Sequence, residues 1–174
     1  MAIVKPEMQA LELISKTREY LDYIERHIKN VAQAWLEIQD KCKGMRFIYD
    51  DYVFHTLNKE VELHDVSKLS EHEFIQYRKS FFPTSSEPKV RLVEAWEHHK
   101  KNNHHHWETW TSEKCRNPYF EEIHCAHMVI DWLAMSYEFG GTPREYYEAN
   151  KERIEIPKWA ILFITEIFDC LDAQ

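Results

Sequence analysis

The chain reads as an all-α protein, and three observations carry that reading. Apolar residues recur at spacings of three and four along most of its length, the period of one helix face. Glycine is limited to three positions, Gly44, Gly140 and Gly141. No stretch alternates apolar and polar residues as a half-buried strand does. With 174 residues, 44% of them apolar, the chain suffices for one domain with a core and little more. The expectation is a single helical domain over residues 1–174, with six or seven helices.

The elements follow in order. Pro6 opens a pattern of Leu11, Ile14, Leu21, Ile24, Ile28, Val31, Trp35 and Ile38. It predicts a helix, or a helix pair, from about residue 7 to about 42, ending before Gly44. Val53, Leu57, Val61 and His64 predict a second helix over about 49–66. Ser70 before E-H-E is a candidate cap for a short helix reaching Lys79. Pro83 to Pro88 is a loop, and Ser86 with Pro88 resembles a helix start for about 87–102. Asn117-Pro118 and Thr142-Pro143 repeat that signal, for helices over about 118–138 and 143–152. Gly140-Gly141 separates those two, and Pro157 opens a last apolar helix to about residue 172.

Charge and composition exclude several functions. Lys and Arg total 22 against 30 Asp and Glu, a formal charge of −8. That field opposes a binder of the nucleic-acid backbone, so no duplex nucleic acid is expected as a partner. Three glycines, at 44, 140 and 141, cannot build a glycine-rich phosphate loop. A phosphate would have to be held by a metal, Lys, Arg or His. Cys42, Cys115, Cys125 and Cys170 show no C-x-x-C spacing and read as reduced, mostly buried thiols. The start M-A-I-V-K-P-E has no leader character, and no window reaches a membrane-spanning apolar length. The expectation is a cytoplasmic protein without a membrane partner.

The chemistry concentrates in His and Asp. His27, His64 and Asp131 each fall on an apolar helix stripe, and Asp65, next to His64, lies near that face. Tyr20, Ile24, His27, Val31 and Trp35 share one face, as do Phe120, His124, His127, Asp131 and Met135. An aspartate on such a stripe is costly unless it is paired or bound to a metal. Imidazole nitrogen and carboxylate oxygen suit Zn, Fe, Mn and similar ions, and a mixed set leaves positions open for water or substrate. A second concentration is A-W-E-H-H-K-K-N-N-H-H-H-W-E-T-W, residues 95–110. There Leu92, Trp96, His99 and Asn103 share a face, which favours His99 over His98 as an inward ligand, while His105 and His106 follow in a loop. Glu71, Glu73, Arg78 and Lys79 read as surface charge. Trp96, Trp107, Trp110, Tyr119 and Trp132 read mostly as core.

The ordered set His27, His64-Asp65 and Asp131 resembles the ligand signature of the HD superfamily of metal-dependent phosphohydrolases. In that superfamily the first His precedes the HD pair by a few dozen residues and the last Asp follows by several dozen, as here. The extra histidines resemble the branch holding two or three metals, which includes the cyclic-dinucleotide phosphodiesterases and inositol oxygenase. H-D-V-S-K (64–68) and W-E-H-H…H-H-W also resemble a family of bacterial and phage proteins of unassigned activity carrying H-D-x-S-K and W-x-H-H…H-H-W. The G-Y-P segment of the cyclic-di-GMP enzymes is missing, which argues against that substrate.

The resemblance implies a hydrolase of a nucleotide or another small phosphorylated compound, a phosphomonoester or phosphodiester. It implies one or two divalent ions (Mn, Fe, Zn, Co or Mg), held by His27, His64, Asp65, His99, His105, His106 and Asp131. The ion would make a bound water acidic enough to attack as hydroxide. Asp65 would act in catalysis as a bridging carboxylate. Lys68, one turn after it, would act in catalysis and meet a substrate phosphate. Lys68 and Asn103 are the expected substrate-binding residues. A homodimer is consistent with the superfamily. Two alternatives come from other classes: a di-iron oxygenase resembling inositol oxygenase, and a non-catalytic small-molecule binder with a degenerate site.

Overall fold

The computed structural model describes residues 6–88, 90–111 and 118–173, without the side chains of residues 6, 118 and 119. Every regular element among them is helical: α1 (Pro6–Lys41), α2 (Arg46–Tyr49), α3 (Asp51–Glu62), a 3-10 turn (Val66–Leu69), α4 (Phe74–Phe81), α5 (Val93–Asn102), α6 (Trp107–Trp110), α7 (Pro118–Phe139), α8 (Pro143–Asn150) and α9 (Lys158–Asp172). The all-α expectation holds. The helix count exceeds six or seven because α2 and α6 are single turns of four residues, too short to show a period. The first pattern is one continuous helix. No helix among the described residues is long and apolar enough to cross a membrane. Cys115, the cap expected at Asn117 and the first five residues lie outside the described residues.

Contacts divide the chain into two compact units, each drawn from separate segments. One joins the chain up to Arg26 with Asp65–Asn102, and the other joins His27–His64 with the chain from Asn103 onward.

The larger unit is built around α7. Ile123 to Ile130 are buried without a break, so this helix is covered on all sides. Cys125, Ala126 and Ala134 are small enough to let neighbouring helices approach. The core also takes Val31, Trp35 and Ile38 from α1, Phe47 from α2, Leu57 from α3, and Ile164 and Ile167 from α9. Local chemistry sets several boundaries. The Asp50 carboxylate accepts the N–H groups of Tyr52 and Val53 at 3.1 and 3.2 Å, capping α3. Thr142 Oγ1 accepts the Glu145 N–H at 3.1 Å, with Pro143 in the first helical turn of α8. Gly140 and Gly141 make the break before it at φ +82 and +79, a region that β-carbons disfavour. Of the cysteines, Cys42 and Cys125 are buried, Cys170 is partly buried, and all three are free thiols.

The smaller unit packs Tyr20 and Ile24 of α1 against Tyr77 of α4 and Ala95 of α5. The Tyr20 ring meets Phe74 edge-on at 5.2 Å. Three expectations change in this unit. Leu11, Ile14 and Leu21 are exposed, because α1 packs through the stripe of Tyr20 and Ile24 instead. Helix α4 starts at Phe74 rather than at Ser70, whose carbonyl accepts the N–H groups of Glu73 and Phe74. Helix α5 starts at Val93 rather than near 87. The reason is Glu87, whose carboxylate takes the Arg78 guanidinium with both oxygens and the Thr84 N–H at 2.9 Å. Those bonds hold the segment as a loop. They also correct the surface reading of Arg78, which is 2% exposed, and Glu73 is fully buried.

Candidate metal centre

In the larger unit three side chains from three parts of the chain converge. His27 comes from α1. His64 follows the end of α3, its N–H bonded to the Val61 carbonyl at 3.1 Å. Asp131 comes from α7. His27 Nε2 lies 3.0 Å from His64 Nε2. Asp131 Oδ1 lies 3.2 Å from the former and 3.6 Å from the latter. Both histidines are buried, and the carboxylate keeps 17% of its side-chain surface.

Those separations test the donor set against a metal. Ligands on bonds of about 2.0–2.2 Å stand roughly 3.0–3.6 Å apart, from octahedral to tetrahedral geometry. All three distances lie in that range. The set fits a divalent first-row ion, and the remaining coordination positions fall to water or substrate.

A fourth residue sets how His64 can serve. His64 Nδ1 lies 2.9 Å from His127 Nε2. A neutral imidazole has one N–H and one lone pair. With the Nε2 lone pair given to an ion, Nδ1 carries the proton and donates it to His127. This is the outer hydrogen bond that fixes ligand tautomer and ring orientation in histidine metal sites. His105, from the loop between α5 and α6, stacks on His64 at 4.4 Å and reaches His127 at 4.8 Å between ring centroids. His64, His105 and His127 also bring ligand atoms within 4.8 Å of one another. His106 packs its ring 4.2 Å from His105. Asn103, expected at the substrate, is buried, and its carbonyl accepts the His106 N–H at 3.4 Å. His127 was not among the expected ligands, although it lies one turn before Asp131 on the same stripe. That shared face was the available signal.

The smaller unit holds the other expected residues. Asp65 has φ +58, and among the described residues no other non-glycine has a positive φ. Aspartate tolerates this conformation better than most residues, at some cost in strain. Its Oδ2 receives Lys68 Nζ at 2.5 Å, and its Oδ1 lies 3.2 Å from His99 Nε2. The other His99 nitrogen donates to Glu73 Oε2 at 2.8 Å, while Glu73 Oε1 takes His98 Nδ1 at 2.6 Å. Glu73 thus orients two histidines at once. Burial would push the Glu73 carboxyl up, but bonds from His99, His98 and Ser67 hold it below its ordinary value. Burial pulls His99 down, and its bonds to Asp65 and Glu73 outweigh that, leaving it raised. A carboxylate faces each of its nitrogens, so an ion at His99 competes with a proton there.

These environments make a pH prediction. His99 contributes stability fully present below the unfolded histidine value of about 6.5 and lost as pH rises through its raised folded value. His124 on α7 works oppositely, since burial, and then His104, depress it to about 4. As pH falls from about 6.5 to about 4, the unfolded chain gains a proton there that the folded chain refuses. Chelator-treated protein should therefore melt highest near pH 6.5, lower at about pH 5, and lower again as pH rises through the raised His99 value. A flat thermal-unfolding profile would remove both histidines from this account.

No curated protein and no solved structure matches the chain. The model of one family, described as a family of unknown function (DUF5662), matches residues 16–166, and the chain belongs to that family.

Proposed function

We propose that this protein is a metal-dependent phosphohydrolase of the HD type, acting on a nucleotide or another small phosphorylated compound. The observation that supports this most is the convergence of His27 Nε2, His64 Nε2 and Asp131 Oδ1 at 3.0 to 3.6 Å. The ligand set comes in the order H…HD…D along the chain. The ion, when bound, supplies an acidified water and neutralises charge developing at phosphorus.

The chain's own residues divide the remaining work. His27 and His64 present lone pairs, and Asp131 adds a carboxylate that lowers the net charge of the site. His127 holds the His64 tautomer through Nδ1. Asp65 adjoins His64 in sequence and pairs with Lys68 at 2.5 Å. Lys68 is the cation assigned to a substrate phosphate. In a chain of net charge −8 without a phosphate loop, an anionic substrate depends on such local positive charge. Water and the ester yield phosphate and an alcohol, or two fragments from a diester, and the leaving oxygen takes up a proton.

The test is phosphate release by chelator-stripped protein reloaded with Mn, Fe, Co, Zn or Mg, across nucleotides and small phosphoesters. Turnover with at least one ion is expected. Asp65→Ala is expected to lower kcat by at least about 100-fold, the scale of losing a group that acts in the transition state, with the helical fold retained at a lower melting temperature. Oxygen uptake by the iron-loaded protein without phosphate release would replace this reading with the oxygenase one.

A further inference from the structure

A second group of metal-ligating side chains lies in the larger unit and shares no residue with the centre just described. Glu60 of α3, His104 of the loop between α5 and α6, and His124 of α7 each bring one ligand atom within 4.8 Å of the others. We propose that these three residues form a separate site for a divalent first-row ion of the zinc class.

Three observations carry the assignment. First, His124 is 4% exposed, and its buried Nδ1 has no hydrogen-bond partner. A buried imidazole nitrogen without a partner is unusual in a folded protein and asks for an explanation such as an ion. Second, aromatic rings crowd the His124 imidazole on the side of the group. Phe120 stacks on one side of the His124 ring at 6.2 Å, and the His104 ring approaches at 4.9 Å. Two imidazoles this close, with a carboxylate within reach, repel one another once protonated and bind an ion when neutral. Third, the placement runs parallel to the first histidine group. Glu60, in the last turn of α3, lies four residues before His64, His124 precedes His127 by one turn of α7, and His104 immediately precedes His105. The same three segments that furnish His64, His127 and His105 therefore offer a second set of ligands one step along.

The donor chemistry narrows the occupant. Two imidazoles and one carboxylate make the three-ligand set of zinc sites that keep an open position. Soft ions that want thiolate and hard ions that want only oxygen are both poorly served. His104 and Glu60 are partly exposed, so an ion can enter from solvent. Because His104 sits in the loop that carries His105 and His106, an ion here ties that loop to α3 and α7. Its structural consequence is order in the loop rather than chemistry on a substrate.

The experiment uses the full chain stripped with chelator and titrated with Zn, or with Co for its visible absorption. Wild type should bind one ion more than the variant carrying Glu60→Gln and His104→Ala. Asp131→Ala should keep a Co absorption band that disappears when those two substitutions are added. Both changes are at partly exposed positions, so the fold should survive, whereas His124→Ala risks unfolding. Equal stoichiometry in wild type and the double variant overturns the site, and so does an Asp131→Ala protein that binds no ion. Absence of any hydrolysis would count against the proposed activity and leave this result untouched.

Discussion

Asp131→Ala should bind a divalent ion at the His27–His64 centre at least about 100-fold more weakly than wild type, since even outer-shell partners of metal ligands are worth about 10–100-fold. Asp131 is the one carboxylate of that three-donor set, with Oδ1 at 3.2 Å from His27 Nε2 and 3.6 Å from His64 Nε2. Without it, two neutral imidazoles face the ion and no ligand charge remains to offset its own. The side chain is partly exposed, so the truncation opens little buried cavity and the fold should persist. Asp131→Asn keeps shape and one oxygen but loses the charge, and should fall between the two. Calorimetric titration of stripped protein measures all three. An unchanged affinity in Asp131→Ala would mean that the ion sits elsewhere, with the group of His64, His105 and His127 the next place to look.

Glu87→Gln should destabilise the protein by about 3 kcal/mol, the scale of breaking a buried ion pair from one side. Arg78 is 2% exposed, and both of its terminal nitrogens bond Glu87. Arg78 also donates to the Phe82 carbonyl at 3.4 Å, a long bond for a guanidinium. Glutamine can still accept the Thr84 N–H, so the loop turn is kept while the charge is removed. The pH dependence checks the same pair independently. The Arg78 guanidinium beside Glu87 holds its carboxyl down at about 2. The pair's contribution is thus present above the ordinary glutamate value and lost as pH falls through about 2. Denaturant unfolding at neutral pH gives the number. A loss under about 1 kcal/mol, typical of an exposed pair, would place Arg78 in solvent.

Arg78 and Glu73 also mark where reading the sequence stopped working. In E-H-E-F-I-Q-Y-R-K, every charged residue looks alike, and surface is the ordinary place for charge. What buries Arg78 is a glutamate nine positions later in a loop that resembled a helix start. What buries Glu73 is a pair of histidines more than twenty positions later. Long-range partners leave no periodic trace. Helix α1 shows a milder form of the same limit. Leu11 and Ile14 keep helical spacing yet stay exposed, because spacing defines a face without saying what covers it.

The sequence by itself determined the helical class, most helix positions, and the group His27, His64 and Asp131 as inward-facing, since each rests on local periodicity and on the cost of burying an aspartate. Only the tertiary structure decided which nitrogen of His64 meets His27 and which meets His127, that Asp65 is engaged by Lys68 and His99, and that His104, His124 and Glu60 gather into a group of their own. The physical reason is range. A helix face is written in residues three and four apart, whereas a ligand cage needs distances of about 3 Å between atoms that the chain separates by dozens of residues.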